Sequence, residues 1–568
     1  MPTQTTYSLP PPAETVAQAL RARRDEAPDR PFVRFEERTW SYEQSLREAS
    51  RFANFFLSVR DEKRPFHVGV LMDNLPEFLF AEFGCALSGG VLVGLNPTRT
   101  GEHLGRDIEY SDCQIVLVEE RYAPQLAEAL RYLAGPAPRV WSVDGESVFP
   151  RLDLGSSSDR DPAIRVRPED LLLVIFTSGT TKNPKGVLNS HRRLVLLGWG
   201  AASVMCGFRP EDTVYCAMPL YHSNAQILAV FAALAAGGTI ALARRFSKSR
   251  FLDDVRRYGA TLFNYVGTPL AYILETPERP DDAENPLRLA YGNEAPRQAI
   301  AAFERRFGCR VVDGYGSSEV GVGFTRSPDD PPGSLGRAEG VKILDEEGRE
   351  CPPARFDEQG RLLNPEEAIG EIVNTNGVFL FEGYYKDEAS TRERTRGGWY
   401  HTGDLGYRDE KGYIYFAGRD VEWLRVGGEN FTARPVEEAL ARHPDVLLAS
   451  VYGVPDPEAG DQVMAAIQLR DGARFDPRAF AEFVDGPSGL PRRWRPVFVR
   501  IVREFPVTHT HKVLKRALQR EKFLLDRVRD PVYWRPGGEP AYRPFTEEDL
   551  RALRERFERA GHLARLED

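Results

Sequence analysis

From residue 15 onward, the chain alternates amphipathic stretches with short apolar runs. "AETVAQALRARRDEA" and "YEQSLREASRFANFFLSV" have the pattern of helices, whereas "FHVGVLM", "GVLVGL" and "QIVLVE" are strand-like. The alternation resumes after residue 186 with "TVYCAMPL", "GGTIALA" and "ATLFNYV". Apolar strands separated by helices are typical of largely parallel sheets covered by helices. The pattern therefore predicts a large α/β domain.

The pattern changes at about residue 334. "VKILDEEGREC", "GEIVNT" and "GYIYFAGR" are β-rich with Gly-centred turns, and after residue 420 one helical stretch and two strand-like runs follow. A chain of 568 residues exceeds the size of a single core. We therefore predict a large α/β N-terminal domain, residues 1–418, with parallel sheets flanked by helices plus a small β-rich subdomain. A smaller α+β C-terminal domain, residues 419–568, follows it.

One apolar segment, residues 227–243, resembles a membrane span. Gly237 and Gly238 interrupt it, and it is shorter than the roughly 20 strongly apolar residues that a spanning helix needs. It predicts a buried helix that ends at the glycines and a strand after them, so we expect no transmembrane segment. The N-terminus lacks the basic and apolar regions of a signal peptide.

Composition narrows the class of protein. With 42% hydrophobic and 28% charged residues and a net charge of -9, the chain fits a globular protein and no general nucleic-acid binder. The cysteines are scattered without C-x-x-C or zinc-type spacing, which indicates buried thiols and a cytoplasmic location. They are Cys85, Cys113, Cys206, Cys216, Cys309 and Cys351.

A run rich in hydroxyls and glycine, "FTSGTTKNPKGV" (176–187), follows the apolar run "LLLVI". Such a loop offers backbone N–H groups and hydroxyls to an anion, and Lys182 and Lys185 add positive charge. Its spacing differs from the standard phosphate loop. From this run alone, a polar turn before a helix remains the alternative.

A second cluster, "DGYGSSE" (313–319), follows the strand-like "CRVV". Tyr315 offers a face for stacking a base, Ser317 and Ser318 offer hydroxyls, and the Glu319 carboxylate suits Mg²⁺. The alternative is a tight turn with a surface glutamate. No G-x-S-x-G hydrolase motif is present in it.

Two more clusters lie further along the chain. Asp404 and Arg419 in residues 398–420 suit ribose hydroxyls and phosphate. "FPVTHTHKVLKRAL" (505–518) predicts a basic helix with Lys512 near its start. Its two histidines stand two positions apart, so they do not share a helix face and predict no metal site.

Together, these clusters resemble the adenylate-forming superfamily of acyl-CoA synthetases, luciferases and carrier-protein-loading adenylation domains, from residue 15 to at least residue 520. "FTSGTTKNPKG" is similar to the T-S-G-T-T-G-x-P-K-G motif, and "DGYGSSE" resembles Y-G-x-T-E. The other similar segments are "MPLYH", "GEIVNTNGVFLFEGYYKD", "YHTGDL", "GRDVEWLRVGGENFTARPVEEA" and "PVTHTHKVLKR".

The resemblance implies a two-step reaction with ATP, Mg²⁺ and coenzyme A. A carboxylate attacks the α-phosphate of ATP, which releases pyrophosphate and leaves an acyl-AMP; a thiol, usually of coenzyme A, then displaces AMP. Between the steps, the small C-terminal domain would rotate about a hinge, carrying Lys512 away and bringing residues 426–430 toward the pantetheine arm.

The resemblance also implies roles for individual residues. Lys512 would bridge the carboxylate and the α-phosphate, His222 would gate the reacting carboxylate, and Glu319 with Thr180 would hold Mg²⁺. The residues implied for the acyl group are Tyr221, His222, Phe263, Tyr265 and Gly267. Those implied for the nucleotide and coenzyme A are Thr177, Ser178, Gly179, Thr180, Thr181, Lys185, Gly292, Asn293, Glu294, Asp313, Gly314, Tyr315, Gly316, Ser317, Ser318, Asp404, Arg419, Gly427, Gly428, Glu429 and Asn430.

Several positions depart from the family pattern. Lys182 stands where glycine is usual, and Val421 stands at the hinge where Asp or Lys is common. Ser318 replaces threonine and keeps the hydroxyl, and His511 replaces the glycine before Lys512.

The substrate prediction depends on four segments. "FNYVGTPLAYIL", "AYGNEAP", "GGENFT" and the tail from "DPVYW" are similar to very-long-chain acyl-CoA synthetases and fatty acid transport proteins, a branch in which some bacterial members activate steroid side-chain acids. This similarity favours a large hydrophobic acid. Separately, we expect a monomer or homodimer. The alternatives are a ligase that loads a carrier-protein phosphopantetheine, an aryl-CoA ligase, and a non-catalytic uptake or binding protein, which the intact Lys512, Glu319 and Asp404 disfavour.

Overall fold

The structure, a computed structural model, describes residues 13–177, 184–324, 329–331, 333–357, 362–419, 423–426, 429–458, 460–486, 488–508 and 512–567. The chain divides into two compact units, each assembled from separate stretches of sequence. The first unit comprises Met1–Ala295, Ala302–Val320 and Leu380–Glu393, and the second comprises Pro296–Ala301, Gly321–Phe379 and Arg394–Asp568. The predicted domain boundary between residues 418 and 419 stays a prediction.

The strands of the first unit alternate with helices along the chain. The strands are β1 Pro31–Phe35, β2 Arg38–Ser41, β3 His67–Leu71, β4 Val91–Gly94, β5 Cys113–Val118, β6 Arg139–Ser142, β7 Leu171–Phe176, β8 Gly186–Ser190, β9 Thr213–Cys216, β10 Thr239–Leu242, β11 Leu262–Val266, β12 Leu289–Asn293 and β13 Arg310–Gly314. The α-helices up to residue 307 are α1 Val16–Glu26, α2 Tyr42–Val59, α3 Pro76–Ser88, α4 Gly101–Tyr110, α5 Ala123–Ala129, α6 His191–Gly200, α7 Ala232–Ala236, α8 Phe251–Tyr258, α9 Pro269–Leu274 and α10 Arg297–Phe307. Ala201–Cys206 and Ala225–Phe231 are π-helical.

These strands form two sheets. One has the order β6-β5-β3-β4-β7-β8 and the other β13-β12-β11-β9-β10-β1-β2. Every neighbouring pair is parallel except β7–β8 and β1–β2, each at an edge. The prediction of helix-flanked, largely parallel sheets is therefore confirmed.

One hydrophobic core serves both sheets. It joins Leu173 of β7 and Ile240 of β10 to Phe52 of α2 and Phe78 of α3. The two helices approach closely, because a Cβ on Gly84 of α3 would stand 2.7 Å from the Phe52 Cβ. This buried core holds the carboxyl ends of the strands, where ligands bind in parallel α/β sheets.

The second unit is rich in antiparallel strands. Its strands are β14 Ser334–Gly336, β15 Val341–Leu344, β16 Gly370–Asn374, β17 Tyr400–Arg408, β18 Ile414–Arg419, β19 Trp423–Val426, β20 Glu429–Thr432, β21 Val446–Pro455, β22 Asp461–Leu469, β23 Phe498–Val502, β24 Val532–Trp534 and β25 Arg543–Pro544. The α-helices after residue 307 are α11 Pro365–Ala368, α12 Glu388–Arg394, α13 Ala433–Leu440, α14 Pro477–Asp485, α15 Lys515–Glu521, α16 Glu547–Arg559 and α17 Leu563–Glu567. The sheets are β14-β18-β17-β16-β15, β19-β20 and β21-β22-β23-β24-β25. The predicted change to β-rich and then α+β structure is confirmed.

The apolar segment 227–243 folds as the sequence predicts. Helical turns run through α7 to Gly237, whose positive φ of 76° ends the helix, and β10 follows. In the part of the chain that the structure describes, no helix is long and apolar enough to cross a membrane.

The helix that the sequence places around Lys512 begins later. α15 starts at Lys515, and a pair of hydrogen bonds closes the backbone between Thr508 and Lys512 instead. The β-branched Val513 pairs with Val507 in an isolated bridge, and this pairing disfavours a helix that begins at Lys512.

Candidate functional site

Three predicted site residues stand side by side on neighbouring strands. Tyr265 of β11 pairs with Gly292 of β12, which pairs with Asp313 of β13. The Tyr265 hydroxyl donates to Asp313 Oδ1 at 2.9 Å, and the Ala295 N–H donates to the same oxygen at 3.0 Å. A Cβ on Gly292 would lie 2.0 Å from the Tyr265 carbonyl oxygen, so this strand spacing requires glycine. Segments 291–294 and 313–319, both predicted to bind the nucleotide, therefore meet at the carboxyl ends of β12 and β13.

The segment that carries His222 joins the same edge of the sheet. The Ser223 and Ser318 hydroxyls are 2.9 Å apart, and Asn224 Nδ2 donates to the Tyr265 carbonyl at 3.2 Å. His222 is buried, and its ring centroid lies 4.4 Å from that of Tyr221. The segment of His222, predicted to gate the acyl group, and the segment of Glu319, predicted to bind the metal, are therefore in contact, although they are distant in sequence.

Two side chains hold the backbone of Leu220, just before His222. Asn74 Oδ1 accepts from the Leu220 N–H at 2.9 Å, and Gln226 Nε2 donates to the Leu220 carbonyl at 2.6 Å. The His222 N–H closes the turn by donating to the Pro219 carbonyl at 3.0 Å. The path of the chain into His222 is therefore set by buried amides.

The base of the predicted phosphate loop is closed by Thr177 and Lys185. The Thr177 N–H donates to the Lys185 carbonyl at 2.9 Å, and the Lys185 N–H donates to Thr177 Oγ1 at 3.3 Å. These bonds continue the antiparallel pairing of β7 with β8. The predictions for Ser178, Gly179, Thr180, Thr181 and Lys182 lie outside the described residues.

Glu319 is half-buried and has one described hydrogen-bond donor on its side chain. The Tyr384 hydroxyl donates to Glu319 Oε1 at 2.9 Å, whereas Oε2 accepts no hydrogen bond from the described part of the chain. A carboxylate with one oriented and one open oxygen fits a hard cation that takes its other ligands from phosphates and water. No group of three or more His, Cys, Asp or Glu residues suited to a metal occurs among the described residues, so a metal cage made by the protein alone is not present in that part.

The predicted adenine segments carry backbone strain. Glu294 and Val320 have positive φ angles of 67° and 47°, a conformation rare for residues other than glycine and most unusual for a β-branched one. Asn293 Oδ1 is buried and accepts no hydrogen bond within the described residues. Backbone strain and a buried acceptor without a hydrogen bond are common at ligand-binding sites, so both observations favour such a site here.

Phe263 and Tyr265, predicted to line the acyl site, are completely buried. The Phe263 ring packs 4.8 Å from Phe251 and 6.0 Å from Tyr215, which is ordinary core packing. Gly267 has a positive φ of 70° and donates its N–H to the Asn293 carbonyl at 2.9 Å. Their role toward the acyl group stays a prediction.

The remaining predicted residues belong to the second unit. Asp404 is buried, its N–H donates to Thr402 Oγ1 at 3.0 Å, and it pairs with Arg419 across β17 and β18. The Lys512 N–H donates to Thr508 Oγ1 at 3.1 Å. The predictions for Gly427 and Gly428, for the hinge residue Val421, for His511, and for the side chains of Arg419, Glu429 and Asn430 lie outside what the structure describes.

Sequence patterns missed three side chains that build the site. Arg193 contacts the backbone of the 313–319 segment, Tyr384 contacts Glu319, and Asn74 holds Leu220. Tyr384 lies in the family-like segment "FEGYYKD", and the two adjacent tyrosines there could have indicated a site residue. Arg193 and Asn74 carried no signal, because their partners are distant in sequence.

The fold and this cluster at the strand ends define a nucleotide-binding α/β enzyme with a separate β-rich second unit. Residues 20–385 match the AMP-binding enzyme family, and residues 435–512 match the AMP-binding enzyme C-terminal domain. The chain therefore belongs to the AMP-binding enzyme family of the adenylate-forming superfamily, as its motifs predict.

Relatives with assigned names span nearly the whole chain. A steroid-22-oyl-CoA synthetase of Rhodococcus jostii (strain RHA1) is 44% identical over 558 residues, 94% of this chain and 96% of the relative. A medium/long-chain-fatty-acid–CoA ligase, FadD17, of Mycobacterium marinum is 45% identical over 489 residues, 86% of this chain and 92% of the relative. A crystal structure of the anthranilate CoA ligase AuaEII with anthranoyl-AMP superposes with a TM-score of 0.79 at 22% identity, covering 90% of this chain and 98% of that one, and supports the fold alone.

Proposed function

We propose that this chain is an acyl-CoA synthetase: it adenylates a large hydrophobic carboxylic acid with ATP, releases pyrophosphate, and transfers the acyl group to coenzyme A. One observation carries the proposal. The Tyr265–Asp313, Ser223–Ser318 and Tyr384–Glu319 hydrogen bonds bring together, at one edge of a parallel sheet, the segments predicted to bind the nucleotide, the acyl group and the metal.

The acid that we propose is a steroid side-chain acid or a medium- to very-long-chain fatty acid. The steroid-22-oyl-CoA synthetase and FadD17 described above, at 44% and 45% identity, are named for acids of this kind. The aryl-acid alternative is supported by structural neighbours at 22% and 20% identity, which show the fold and no substrate.

Several described atoms suit the groups of ATP. Asn293 Oδ1, buried without a donor in the described residues, would accept from the adenine amino group. The Lys185 ammonium would neutralise phosphate charge, and Glu319 Oε2 would bind Mg²⁺. When bound, Mg²⁺ would neutralise charge on the phosphates and orient them for in-line attack.

The reacting acid would be handled by His222 and Lys512. His222 is buried at the end of a turn held by amides, so its position before substrate binding is already determined. Lys512 would carry positive charge to the carboxylate and the α-phosphate in the first step, where positioning and charge neutralisation supply most of the rate.

A substrate panel tests the proposal. Pyrophosphate release would be measured with steroid side-chain, medium-chain, very-long-chain and aryl acids, with and without coenzyme A, and thioesters would be identified by mass spectrometry. We expect coenzyme A thioesters of the steroidal or fatty acids and little turnover of aryl acids. Acyl-AMP that reacts only with a phosphopantetheinylated carrier protein would favour the carrier-loading alternative, and no coenzyme A thioester with any acid would refute the proposal.

We further propose a cytoplasmic monomer or homodimer whose C-terminal domain begins near residue 419 and rotates between the two steps. The six cysteines are buried free thiols, which suits a reducing compartment. Cell fractionation and light scattering test the location and the oligomeric state, and limited proteolysis with and without acyl-AMP tests the domain boundary.

A further inference from the structure

We propose that Tyr384 and Arg193 are positioning residues that hold Glu319 in the orientation a divalent cation requires. The inference rests on the proposed function, because it takes Glu319 as the ligand of the nucleotide-bound metal. Both side chains would act through Glu319 rather than by binding the metal themselves, and their roles differ. Tyr384 orients the carboxylate, and Arg193 anchors the backbone beneath it.

Tyr384 orients the carboxylate group. Its hydroxyl donates to Glu319 Oε1 at 2.9 Å, which occupies one oxygen and leaves Oε2 without a donor from the described residues. The ring is buried, and the Tyr384 N–H donates to Thr391 Oγ1 at 3.0 Å, so the phenol has little freedom to leave. Without this bond the two carboxylate oxygens would be equivalent and free to rotate.

The same tyrosine also contacts the end of the phosphate loop. The Lys185 ammonium lies 5.1 Å from the Tyr384 ring centroid, within the range of a cation–π contact. Tyr384 further pairs with Val187 of β8 in an isolated bridge. One side chain therefore sets the relative position of a phosphate-binding lysine and a metal-binding carboxylate.

Arg193 anchors the backbone on which Glu319 stands. Its Nη2 donates to the carbonyls of Ser318 at 2.9 Å and Glu319 at 2.7 Å, and its Nε donates to the Leu380 carbonyl at 2.6 Å. Its Nη1 donates to the Leu188 carbonyl at 3.0 Å and to the Asn189 side-chain oxygen. These bonds use all five N–H donors of the guanidinium group.

Arg193 is placed for this role by the start of α6. Ser190 Oγ accepts from the Arg193 N–H at 3.2 Å and caps the helix, and the Arg193 side chain is completely buried. A planar fork of five donors cannot be replaced by an ammonium with three, so lysine at this position would leave carbonyls of the 318–319 turn unpaired.

The first experiment removes only the Tyr384 hydroxyl. Tyr384→Phe would be compared with Tyr385→Phe, the neighbouring tyrosine, whose hydroxyl donates to Asp112 at 2.5 Å instead. Mn²⁺ binding to enzyme with a non-hydrolysable ATP analogue would be measured by electron paramagnetic resonance. Loss of a hydrogen bond to a metal ligand typically costs 10–100-fold in metal affinity, so we expect about a tenfold weaker Mn²⁺ affinity for Tyr384→Phe and wild-type affinity for Tyr385→Phe.

Nucleotide affinity in the absence of metal distinguishes a misoriented metal ligand from a general disruption of the site. A fluorescent ATP analogue in EDTA should bind wild type and Tyr384→Phe within about twofold, because the hydroxyl acts through Glu319 and the metal. In the activity assay, the Mg²⁺ concentration for half-maximal pyrophosphate release should rise for Tyr384→Phe alone. Unchanged Mn²⁺ affinity in Tyr384→Phe, or equal losses in both phenylalanine variants, would overturn the role of Tyr384.

The second experiment compares Arg193→Lys with Arg192→Lys. Arg192 is the adjacent residue, is largely exposed, and pairs with Glu169 at 2.6 Å. We expect Arg193→Lys to weaken Mn²⁺ affinity and to lower kcat about tenfold at saturating Mg²⁺, with Arg192→Lys unaffected in both. Wild-type Mn²⁺ affinity in folded Arg193→Lys would contradict the anchoring role.

Wild-type activity tests the proposed function, whereas the metal affinity of the variants tests the roles of Tyr384 and Arg193. Absence of pyrophosphate release by wild type with every acid of the panel would count against the proposed function. If wild type is active but Tyr384→Phe and Arg193→Lys keep wild-type Mn²⁺ affinity, only the inference is refuted. The controls Tyr385→Phe and Arg192→Lys alter adjacent residues and show whether any loss is specific.

Discussion

The carboxyl group of Glu82 is completely buried and accepts a hydrogen bond from Gln226, whose Nε2 lies 3.0 Å from Glu82 Oε2. Glu82 Oε1 has no hydrogen-bond partner among the described residues. Burial in apolar surroundings raises the pKa of Glu82 to about 8, and the single amide donor offsets only part of that cost. Gln226 Nε2 also donates to the Leu220 carbonyl. The protonation state of Glu82 therefore affects the hydrogen bonds of Gln226, which lies in the helical segment that follows His222.

The first prediction concerns stability and pH. The pKa of Glu82 is raised in the folded state above its ordinary value of 4.5, so folding favours the protonated form. The contribution of Glu82 to stability is therefore fully present below about pH 4.5, is lost as the pH rises toward about 8, and amounts to about 5 kcal/mol. Glu82→Gln keeps a neutral acceptor for Gln226 and should melt several degrees above wild type at about pH 9.

Thermal melts at several pH values check this expectation. The difference in Tm between Glu82→Gln and wild type should grow from about pH 5 to about pH 9. Glu102→Gln, at an exposed position on α4, serves as the control and should follow wild type at every pH. A Glu82→Gln curve parallel to that of wild type would show that the buried carboxyl does not titrate in this range.

The second prediction concerns Asn74. Its side chain accepts from the Leu220 N–H and donates to the carbonyls of Met218 and Ala243, each at 3.0 Å. Asn74→Ala removes a hydrogen bond from each of three buried backbone groups, of which the Met218 carbonyl keeps only a weak bond from the Cys216 thiol, so we expect a loss of about 2–4 kcal/mol in the free energy of unfolding. We also expect a lower kcat for adenylation, because the turn into His222 loses its anchor.

Urea denaturation and pyrophosphate release measure the two effects of Asn74→Ala. Asn96→Ala is the matched control, since Asn96 caps an exposed turn through Thr98 at 2.9 Å. Equal stability for the two variants would mean that the polar groups around Leu220 find other partners.

The third prediction concerns Gly292. An added Cβ would stand 2.0 Å from the Tyr265 carbonyl oxygen, which is backbone and cannot move aside cheaply. Gly292→Ala should therefore destabilise the enzyme by about 3 kcal/mol or more and weaken nucleotide binding, because Tyr265 and Asp313 lie on the strands on either side.

Gly200→Ala is the informative comparison for Gly292→Ala. Gly200 ends α6 with helical φ and ψ, and apart from its chain neighbours and the backbone of its own helix, a Cβ there would meet no atom within 4 Å. Alanine at that position should stabilise the helix by up to about 1 kcal/mol. Thermal melts that rank the two variants in the reverse order would contradict the steric argument.

Local patterns were sufficient to predict the strands and the motif segments, and insufficient to predict how they are held. "FHVGVLM" and "ATLFNYV" are short apolar runs, and they form β3 and β11. The bonds from Arg193 to the 318–319 turn and from Asn74 to Leu220 span 125, 126 and 146 positions, so they depend on the tertiary fold. A periodic pattern of hydrophobic residues contains no information about such pairs.

The start of α15 shows a different limit. The basic run after residue 505 predicts a helix from Lys512, but the structure keeps Lys512 in a turn bonded to Thr508 and begins the helix at Lys515. Helix propensity is a weak prior that a hydrogen-bonded turn readily overrides. The roles of the phosphate-loop residues 178–183 lie outside the described residues and stay predictions.

The last prediction concerns Lys512 and separates the two half-reactions. Lys512→Ala should lower adenylation, measured as acid-dependent pyrophosphate release, by at least about 10²-fold, the usual scale for a pre-organised charged donor. Formation of the thioester from supplied acyl-AMP and coenzyme A should be nearly unchanged, because the thiol attacks the acyl carbon and expels AMP, so no nucleophile adds to the α-phosphorus in this step. Arg516→Ala removes one exposed positive charge four residues further on and should leave both half-reactions at wild-type rates. An undiminished first half-reaction in Lys512→Ala would remove this residue from the site, whereas equal losses in both half-reactions would point to a role in folding.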